Sequence, residues 1–163
     1  MKVYYYETIL GKMRIAEENE VIVEIVLDKL NYPLKDDYEV KETPLIKQVM
    51  KEINEYFNGE RKQFDFPFRL NGTEFQNKVW NSLCDIPYGE TKTYKQIAEA
   101  IGSPKASRAV GLANNKNRLI IVVPCHRVIG SNGKMVGYAG GIDLKEKLLN
   151  IEEIEINKVN GKI

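Results

Sequence analysis

The sequence is poor in residues that cross-link a chain or bind metals. Its 163 residues include two cysteines, Cys84 and Cys125, and one histidine, His126. Two cysteines cannot form a disulfide framework, and one histidine beside them leaves too few soft ligands for a structural zinc site. We therefore expect reduced thiols, no bound metal and no cofactor.

Long apolar segments are also missing. No apolar run approaches the roughly 20 residues that a membrane span needs. The first ten residues, MKVYYYETIL, lack the charged-then-apolar pattern of a secretory signal. With 43% hydrophobic residues, the chain can bury one good core or two small ones. We expect a cytoplasmic protein that does not associate with membranes.

The net charge of +1 does not indicate a nucleic-acid-binding protein, but the charges are unevenly distributed. No acidic residue occurs between Glu99 and Asp143. Six of the 24 basic residues fall in that window: Lys105, Arg108, Lys116, Arg118, Arg127 and Lys134. A solvated face that happens to lack carboxylates is the simpler interpretation. A window of this length around Cys125 favours a local positive field and a negatively charged partner.

Residues 1–71 combine strand and helix signals. Three β-like segments predict a small antiparallel sheet; they cover residues 2–10, 12–16 and 21–27. Thr43-Pro44 predicts the start of one amphipathic helix that covers the sheet. Its predicted apolar face contains Leu45, Val49, Ile53 and Phe57. Alternating phenylalanines predict a further strand over residues 63–70, and Asn71-Gly72 reads as a turn and domain boundary.

Residues 72–163 carry mainly helical signals. The capping boxes Thr73…Gln76 and Thr93…Gln96 each predict a short helix. Ser103-Pro104 predicts the start of a third helix. Its apolar side contains Ala106, Ala109, Val110 and Ala113, and its other side presents Arg108, Gly111, Leu112 and Asn115. The short joint between the last two helices favours a helix-turn-helix, although a purely structural helix pair fits the same pattern.

The only histidine follows a cysteine in the stretch IVVPCHRV, residues 121–128. Residues 119–123 predict a buried strand that Pro124 ends, because proline has no N–H to donate. Cys125 at that strand exit is either a nucleophile or, as for most unpaired cysteines, a small packed side chain. A dense glycine run downstream indicates close backbone approach, and with Tyr138 it predicts a pocket wall; the glycines are Gly130, Gly133, Gly137, Gly140 and Gly141.

PCHRV at residues 124–128, followed by GYAGG at residues 137–141, resembles the active-site signature of the O6-alkylguanine-DNA alkyltransferases. The resemblance extends from about Phe75 to Glu152 and includes RAVG at residues 108–111. Proteins of this family repair DNA directly: one molecule moves an alkyl group from O6 of guanine irreversibly to its own cysteine. The resemblance implies the same reaction here, with acceptance of O4-alkylthymine left open.

The resemblance assigns chemical roles to matching residues. Cys125 is implied as the nucleophile, His126 as the base that deprotonates it through a water, and Glu152 as the carboxylate behind His126. Tyr94 matches a tyrosine whose hydroxyl stabilises the leaving guanine near N3. The backbone carbonyl of Val128 matches the acceptor for the guanine amino group.

Further matches concern the pocket and its support. Tyr138 and Ala139 match residues that line the base pocket. Asn117 matches an asparagine that ties the helix-turn-helix to the cysteine loop through backbone contacts. Residues 142–154 predict a last helix that carries Glu152 beside an apolar side formed by Leu144, Leu148, Leu149 and Ile151.

A second set of residues matches positions that meet DNA. A base inside a duplex cannot reach a buried thiol, so it must be rotated out of the stack. The resemblance implies that Arg108 enters the vacated space; a phosphate contact is the alternative. Small residues on this helix are implied to allow close approach through the minor groove, and Asn114 is expected on the same face. The predicted DNA-binding set is Arg108, Ala109, Gly111, Ala113 and Asn115.

Together these patterns predict an α/β (α+β) protein with two domains. Residues 1–71 form a small β-sheet domain with a covering helix, and residues 72–163 form a mainly helical DNA-binding and alkyl-acceptor domain. The implied partner is double-stranded DNA bearing O6-alkylguanine, bound by a monomer. A non-catalytic lesion binder is the alternative that Cys125 opposes. A thiol hydrolase using Cys125, His126 and Glu152 is another, opposed by the acid-free window.

Overall fold

Two structural units make up the chain in the computed structural model, which describes residues 1–131 and 141–152. The N-terminal unit is Met1–Asn71 and the C-terminal unit is Gly72–Ile163. A β-sheet dominates the first and helices dominate the second, so the predicted α+β class is confirmed.

The N-terminal unit contains a four-stranded sheet in the order β3-β2-β1-β4. The strands are β1 (Lys2–Thr8), β2 (Gly11–Glu18), β3 (Val21–Leu27) and β4 (Glu39–Val40). The first three strands pair antiparallel, as predicted, whereas the short β4 was not predicted and pairs in parallel with β1. A 3₁₀ turn, Asp28–Leu30, follows β3.

Helix α1 (Pro44–Phe57) begins at the predicted cap, where the Thr43 hydroxyl accepts a hydrogen bond from the Ile46 N–H at 3.0 Å. Its buried face is rotated from the predicted one, because Leu45 and Phe57 are only half-buried. The buried apolar residues of α1 are Ile46, Val49, Met50, Ile53 and Tyr56. This face packs against β2 and β3 and closes the core of the unit.

The predicted strand over residues 63–70 is wrong. This segment, described in full, makes only an isolated bridge between Phe68 and Ile22. The Ile22 N–H donates to the Pro67 carbonyl at 2.9 Å, and the Arg69 N–H donates to the Ile22 carbonyl at 3.0 Å. Pro67 has no N–H, which limits further pairing. The alternation instead reflects ring packing, which is tilted between Phe64 and Phe66 and edge-to-face between Phe66 and Phe68.

The C-terminal unit contains four helices within the described residues. They are α2 (Glu74–Cys84), α3 (Tyr94–Ala100), α4 (Ser107–Asn115) and α5 (Ile142–Ile151). Both predicted capping boxes are present, at the starts of α2 and α3. A short parallel pair, β5 (Lys92–Thr93) and β6 (Val128–Ile129), was not predicted. It joins the residue before α3 to the segment that follows Cys125.

Helix α4 begins later than predicted. The Ala106 N–H donates to the Ser103 carbonyl at 2.9 Å, so Ser103-Pro104 opens a turn and the helix starts at Ser107. Proline suits the second position of such a turn as well as the first position of a helix. The order helix, turn, helix is nevertheless as predicted for α3 and α4.

None of the helices in residues 1–131 and 141–152 has the length and apolar character that a membrane crossing requires. The same residues contain no group of three or more His, Cys, Asp or Glu side chains that could hold a metal ion.

Candidate active site

Cys125 lies in the interior of the C-terminal unit, with 2% of its surface exposed. It begins a single 3₁₀ turn, Cys125–Arg127, that leads directly into β6. Its N–H donates to the Val123 carbonyl at 2.8 Å, and its own carbonyl accepts from Asn114 Nδ2 at 3.3 Å. The backbone of the cysteine is therefore held from both sides.

The segment before Cys125 is a buried turn, so the predicted strand over residues 119–123 is wrong. Ile121 has φ +76°, a left-handed conformation that is strained for a β-branched residue. The Val123 N–H donates to the Leu119 carbonyl at 2.9 Å and closes the turn. A run of apolar residues indicates burial but does not distinguish a buried strand from a buried turn.

Asn117 holds this turn in place. Its Oδ1 accepts from the Leu119 N–H at 2.9 Å, and its Nδ2 donates to the Val123 carbonyl at 2.8 Å. With 3% of its surface exposed, Asn117 provides hydrogen bonds that water cannot replace. Its amide therefore compensates for the strain at Ile121 and fixes the approach to Cys125.

We expect Asn117→Ala to lower the free energy of unfolding by about 3 kcal/mol, because each buried backbone group left without a partner costs about 1–3 kcal/mol. The exposed Asn150 of α5 provides the matched control, Asn150→Ala, with an expected change below about 0.5 kcal/mol. Urea unfolding of the three proteins measures the difference. Equal stability of both variants would contradict a supporting role for Asn117.

His126, Arg127 and Glu152 form a buried cluster directly after Cys125. His126 Nε2 and Glu152 Oε2 are 2.5 Å apart. Arg127 donates to the same carboxylate from Nε at 2.8 Å and from Nη2 at 3.2 Å, and its Nη1 donates to the Ile86 carbonyl at 2.7 Å. All three side chains are almost fully buried.

Glu152 receives a further hydrogen bond from the backbone. The Gly89 N–H donates to Glu152 Oε1 at 3.1 Å. Gly89 has φ +83° at the third position of a turn that the Glu90 N–H closes onto the Pro87 carbonyl. This position favours glycine, so the turn Pro87-Tyr88-Gly89-Glu90 has a local sequence reason to form.

The charges of this cluster follow from burial and pairing. Burial opposes ionisation of Glu152, but the bonds from His126 and Arg127 prevail and lower its pKa to about 2. Burial lowers the pKa of His126 despite the opposing effect of Glu152. Glu152 is an acceptor, so the proton of a neutral imidazole sits on Nε2 and the basic lone pair is on Nδ1.

Tyr94, Val128 and Lys145 form a second group near the cysteine, and Tyr94 and Lys145 interact electrostatically with it. The β5–β6 pair places the start of α3 beside Val128, whose carbonyl accepts from Lys145 Nζ at 2.5 Å. Lys145 Nζ also lies 5.9 Å from the centroid of the Tyr94 ring. Burial lowers the pKa of Lys145 to about 8, opposed by Cys125, and burial with a contribution from Cys125 raises that of Tyr94 to about 12.

The outer face of α4 borders a groove of about 530 Å³. The residues that line it are Tyr94, Lys95, Ser107, Arg108, Gly111, Leu112, Asn115 and Ser131. Three members of the predicted DNA-binding set, Arg108, Gly111 and Asn115, therefore share one surface, and Ala109 is exposed beside them. A Cβ on Gly111 would lie 3.9 Å from the Tyr94 ring, which is ordinary contact distance.

Two residues that the family resemblance placed on this face point inward, and one of them, Ala113, lies on the apolar side that helical spacing predicted. Ala113 is buried, and its carbonyl accepts from Trp80 Nε1 at 2.9 Å. Asn114 is also buried and holds the Cys125 carbonyl. Because asparagine is a polar residue that is mostly exposed, the periodic pattern of the helix did not indicate that Asn114 is buried and hydrogen-bonded.

Sequence reasoning also missed Lys145 as a site residue. It is fully buried on the same side of α5 as Leu148 and Leu149, three and four residues later. A lysine at helical spacing from an apolar stripe was the available signal. Tyr138 and Ala139, predicted to line the base pocket, lie outside the described residues.

Comparison with known proteins gives consistent matches over both units. Residues 1–70 match the 6-O-methylguanine DNA methyltransferase ribonuclease-like domain, and residues 74–154 match the DNA binding domain of the same family. A methylated-DNA–protein-cysteine methyltransferase of Methanosarcina acetivorans is 48% identical, covering 91% of this chain and 97% of its own. A constitutive one of Bacillus subtilis is 49% identical, covering 91% and 93%.

A solved structure gives the same result. The crystal structure of Mycobacterium tuberculosis OGT in complex with DNA superposes with a TM-score of 0.86 at 40% identity. The match covers 94% of this chain and 93% of the other.

Proposed function

The chain belongs to the 6-O-methylguanine DNA methyltransferase family of DNA-repair proteins, and from this premise we propose that Cys125 is the residue that accepts the alkyl group. The observation that carries this assignment is the buried pair of His126 and Glu152, in which an ionised carboxylate orients a neutral imidazole. His126 directly follows the buried Cys125 in the same 3₁₀ turn. A nucleophile, a base and an orienting group are the parts that this chemistry needs.

The first step is removal of the thiol proton. A cysteine thiol has a reference pKa of about 8.5, so it needs a base to form the nucleophilic thiolate near neutral pH. His126 accepts the proton on Nδ1, through a water, and becomes an imidazolium whose Nε2–H remains bound to Glu152. Lys145 adds positive charge that interacts with Cys125.

The second step is an in-line displacement. The thiolate attacks the alkyl carbon, an S–C bond forms, and the bond from that carbon to O6 breaks with its electron pair on the base. The leaving guanine gains stabilisation from the Tyr94 hydroxyl, whose raised pKa keeps it protonated as a donor. The product is a thioether, and because a thiolate is a poor leaving group from an alkyl carbon, each molecule reacts once.

Tyr94→Phe tests the contribution of this hydroxyl. We expect the single-turnover rate of transfer from a methylated duplex to fall about tenfold, since a hydrogen bond to developing charge that contributes about 1.5 kcal/mol is lost. Lys92→Ala, an exposed change in the adjoining β5, serves as the control and keeps the wild-type rate. Rapid-quench measurement with radiolabelled methyl gives both rates. A Tyr94→Phe rate within twofold of wild type would contradict the role.

DNA approaches the site along the outer face of α4. The supporting observations are the groove shared by Tyr94 and Arg108, the small Gly111 and Ala109 beside it, and the acid-free basic segment. In the proposed complex, α4 lies in the minor groove, Arg108 fills the space of the extruded base, and the base reaches Cys125 beside the Val128 carbonyl.

The protein acts in the cytoplasm as a monomer. Residues 72–163 form the DNA-binding and alkyl-acceptor domain, and residues 1–71 form a separate α/β domain.

The deciding experiment is mass spectrometry of the wild-type protein mixed with a duplex that contains one O6-methylguanine. We expect one added methyl group per molecule on the peptide that contains Cys125, equimolar with repaired guanine. The Cys84 peptide is an internal control, because loss of hydration and the adjacent Asp85 raise the pKa of this exposed thiol. Binding without methylation would indicate a lesion binder, and repeated turnover of a chromogenic ester would indicate a thiol hydrolase.

A further inference from the structure

The outer face of α4 carries one side chain that the chemistry above does not use. Leu112 is 63% exposed and is the most exposed of the large apolar side chains within the described chain. It lines the groove next to Arg108 and Gly111. A single exposed leucine is common, but this one lies beside the side chain proposed to enter the DNA stack.

From this position we propose that Leu112 is an apolar wedge that holds the minor groove open next to the extruded nucleotide. The inference rests on the proposed function, since it takes alkylated duplex DNA as the partner. Leucine, isoleucine, methionine and phenylalanine serve in this way where proteins kink DNA from the minor groove. Leu112 thus acts on DNA directly and assists Arg108 without taking part in alkyl transfer.

Helix geometry allows the two side chains to act together. Arg108 and Leu112 are four residues apart on α4, so their Cβ atoms are about 6 Å apart on one face. Base pairs are stacked at intervals of about 3.4 Å, so both side chains reach the same groove within one or two base steps. Asn115, one turn further along, extends the same face with a polar side chain.

Arg108 and Leu112 make different contacts with DNA because their side chains differ in chemistry. The guanidinium of Arg108 offers charge and hydrogen bonds to phosphates and base edges, whereas Leu112 can offer only apolar contact with sugars and base faces. Opening a groove exposes such apolar surface, and covering it with leucine removes both from water. The wedge therefore stabilises the extruded state specifically, with no contribution from counterion release.

Base extrusion is measured in a Cys125→Ser background, by the fluorescence of 2-aminopurine placed next to O6-methylguanine in the duplex. We expect Leu112→Ala to lower the extrusion equilibrium about tenfold, which is 1.4 kcal/mol, and Leu112→Met to restore it within twofold. Ile9→Ala, an exposed apolar change in the N-terminal unit, is the matched control and has no effect. The slope of affinity against salt stays unchanged for Leu112→Ala, because leucine neutralises no phosphate.

Alkyl-transfer rates, measured in proteins that retain Cys125, distinguish a wedge from a general effect on the site. Leu112→Ala slows repair of the paired duplex about tenfold but changes repair of single-stranded O6-methylguanine by less than twofold. Equal slowing of both substrates, or an unchanged rate and extrusion on the duplex, would overturn the wedge. Wild-type protein that extrudes the base but never methylates Cys125 would overturn the proposed acceptor and leave the wedge standing.

Discussion

Cys125→Ser is expected to abolish alkyl transfer completely while preserving affinity for a duplex that contains O6-methylguanine. Serine keeps the size of the side chain in the buried 3₁₀ turn but replaces the thiolate with a hydroxyl that is not ionised near neutral pH. The backbone bonds to Val123 and Asn114 do not involve the sulfur, so the turn survives the change. Transfer of radiolabelled methyl and gel-shift titration measure the two properties.

Cys84→Ser is the matched control for this prediction. Cys84 is the other cysteine of the chain and ends α2, and its serine variant should transfer one methyl group at the wild-type rate. Methyl transfer by Cys125→Ser, or loss of transfer in Cys84→Ser, would show that Cys125 is not the acceptor. Loss of lesion binding together with transfer would show that the cysteine supports the fold rather than the reaction.

Glu152→Gln is expected to slow transfer about a hundredfold, the lower end of the usual range for removing acid–base catalysis. The side chain keeps its shape, but His126 loses the anion that raises its basicity, and Arg127 becomes a buried cation without a counterion. Glu152→Ala should also cost about 3–5 kcal/mol of stability, since it removes one partner of a buried ion pair. Glu146→Gln, on the half-buried side of α5, is the control and leaves both quantities unchanged.

The same carboxylate predicts a pH dependence of stability. Its pKa is about 2 in the folded protein, against an ordinary value of 4.5 that applies to the unfolded chain. Between these two values the unfolded chain binds the proton and the folded one does not. The stabilisation is therefore complete above pH 4.5 and decreases as the pH falls toward 2, by about 3 kcal/mol.

Urea unfolding between pH 6 and pH 2 measures this decrease. The wild-type protein should lose stability more steeply than Glu152→Gln over this range, and the two should converge at the acid end. Parallel curves would mean that Glu152 is not ionised in the folded protein. In that case Glu152 could not be the anion that orients His126 and raises its basicity.

Local sequence signals predicted the parts of the fold that depend on neighbouring residues. The caps at Thr43, Thr73 and Thr93 were found because each hydroxyl binds an N–H only three residues away. The buried run before Cys125 was misassigned because its turn depends on the side chain of Asn117. The composition of a segment indicates whether it is buried, but it does not indicate which side chain will hydrogen-bond to its backbone.

The candidate site shows the same division. His126 and Arg127 follow Cys125 directly, but only the family resemblance selected Glu152 from the carboxylates near the end of the chain. Lys145 was missed because its partner, the Val128 carbonyl, lies 17 residues earlier in the sequence. The helical spacing of Lys145 from Leu148 and Leu149 indicates that it is buried. Its contact with Val128 arises from packing α5 against the cysteine turn, and no local pattern encodes that contact.

The hydrogen bond between Trp80 and Ala113 makes the protein's own fluorescence a probe of helix α4. Trp80 is the single tryptophan of the chain, it is 6% exposed, and its indole N–H is bound to a carbonyl in the last turn of α4. Indole emission depends on solvent access and on that hydrogen bond. A movement of α4 during DNA binding or after alkylation should therefore change the Trp80 emission of the unlabelled protein, and no dye has to be attached near the groove.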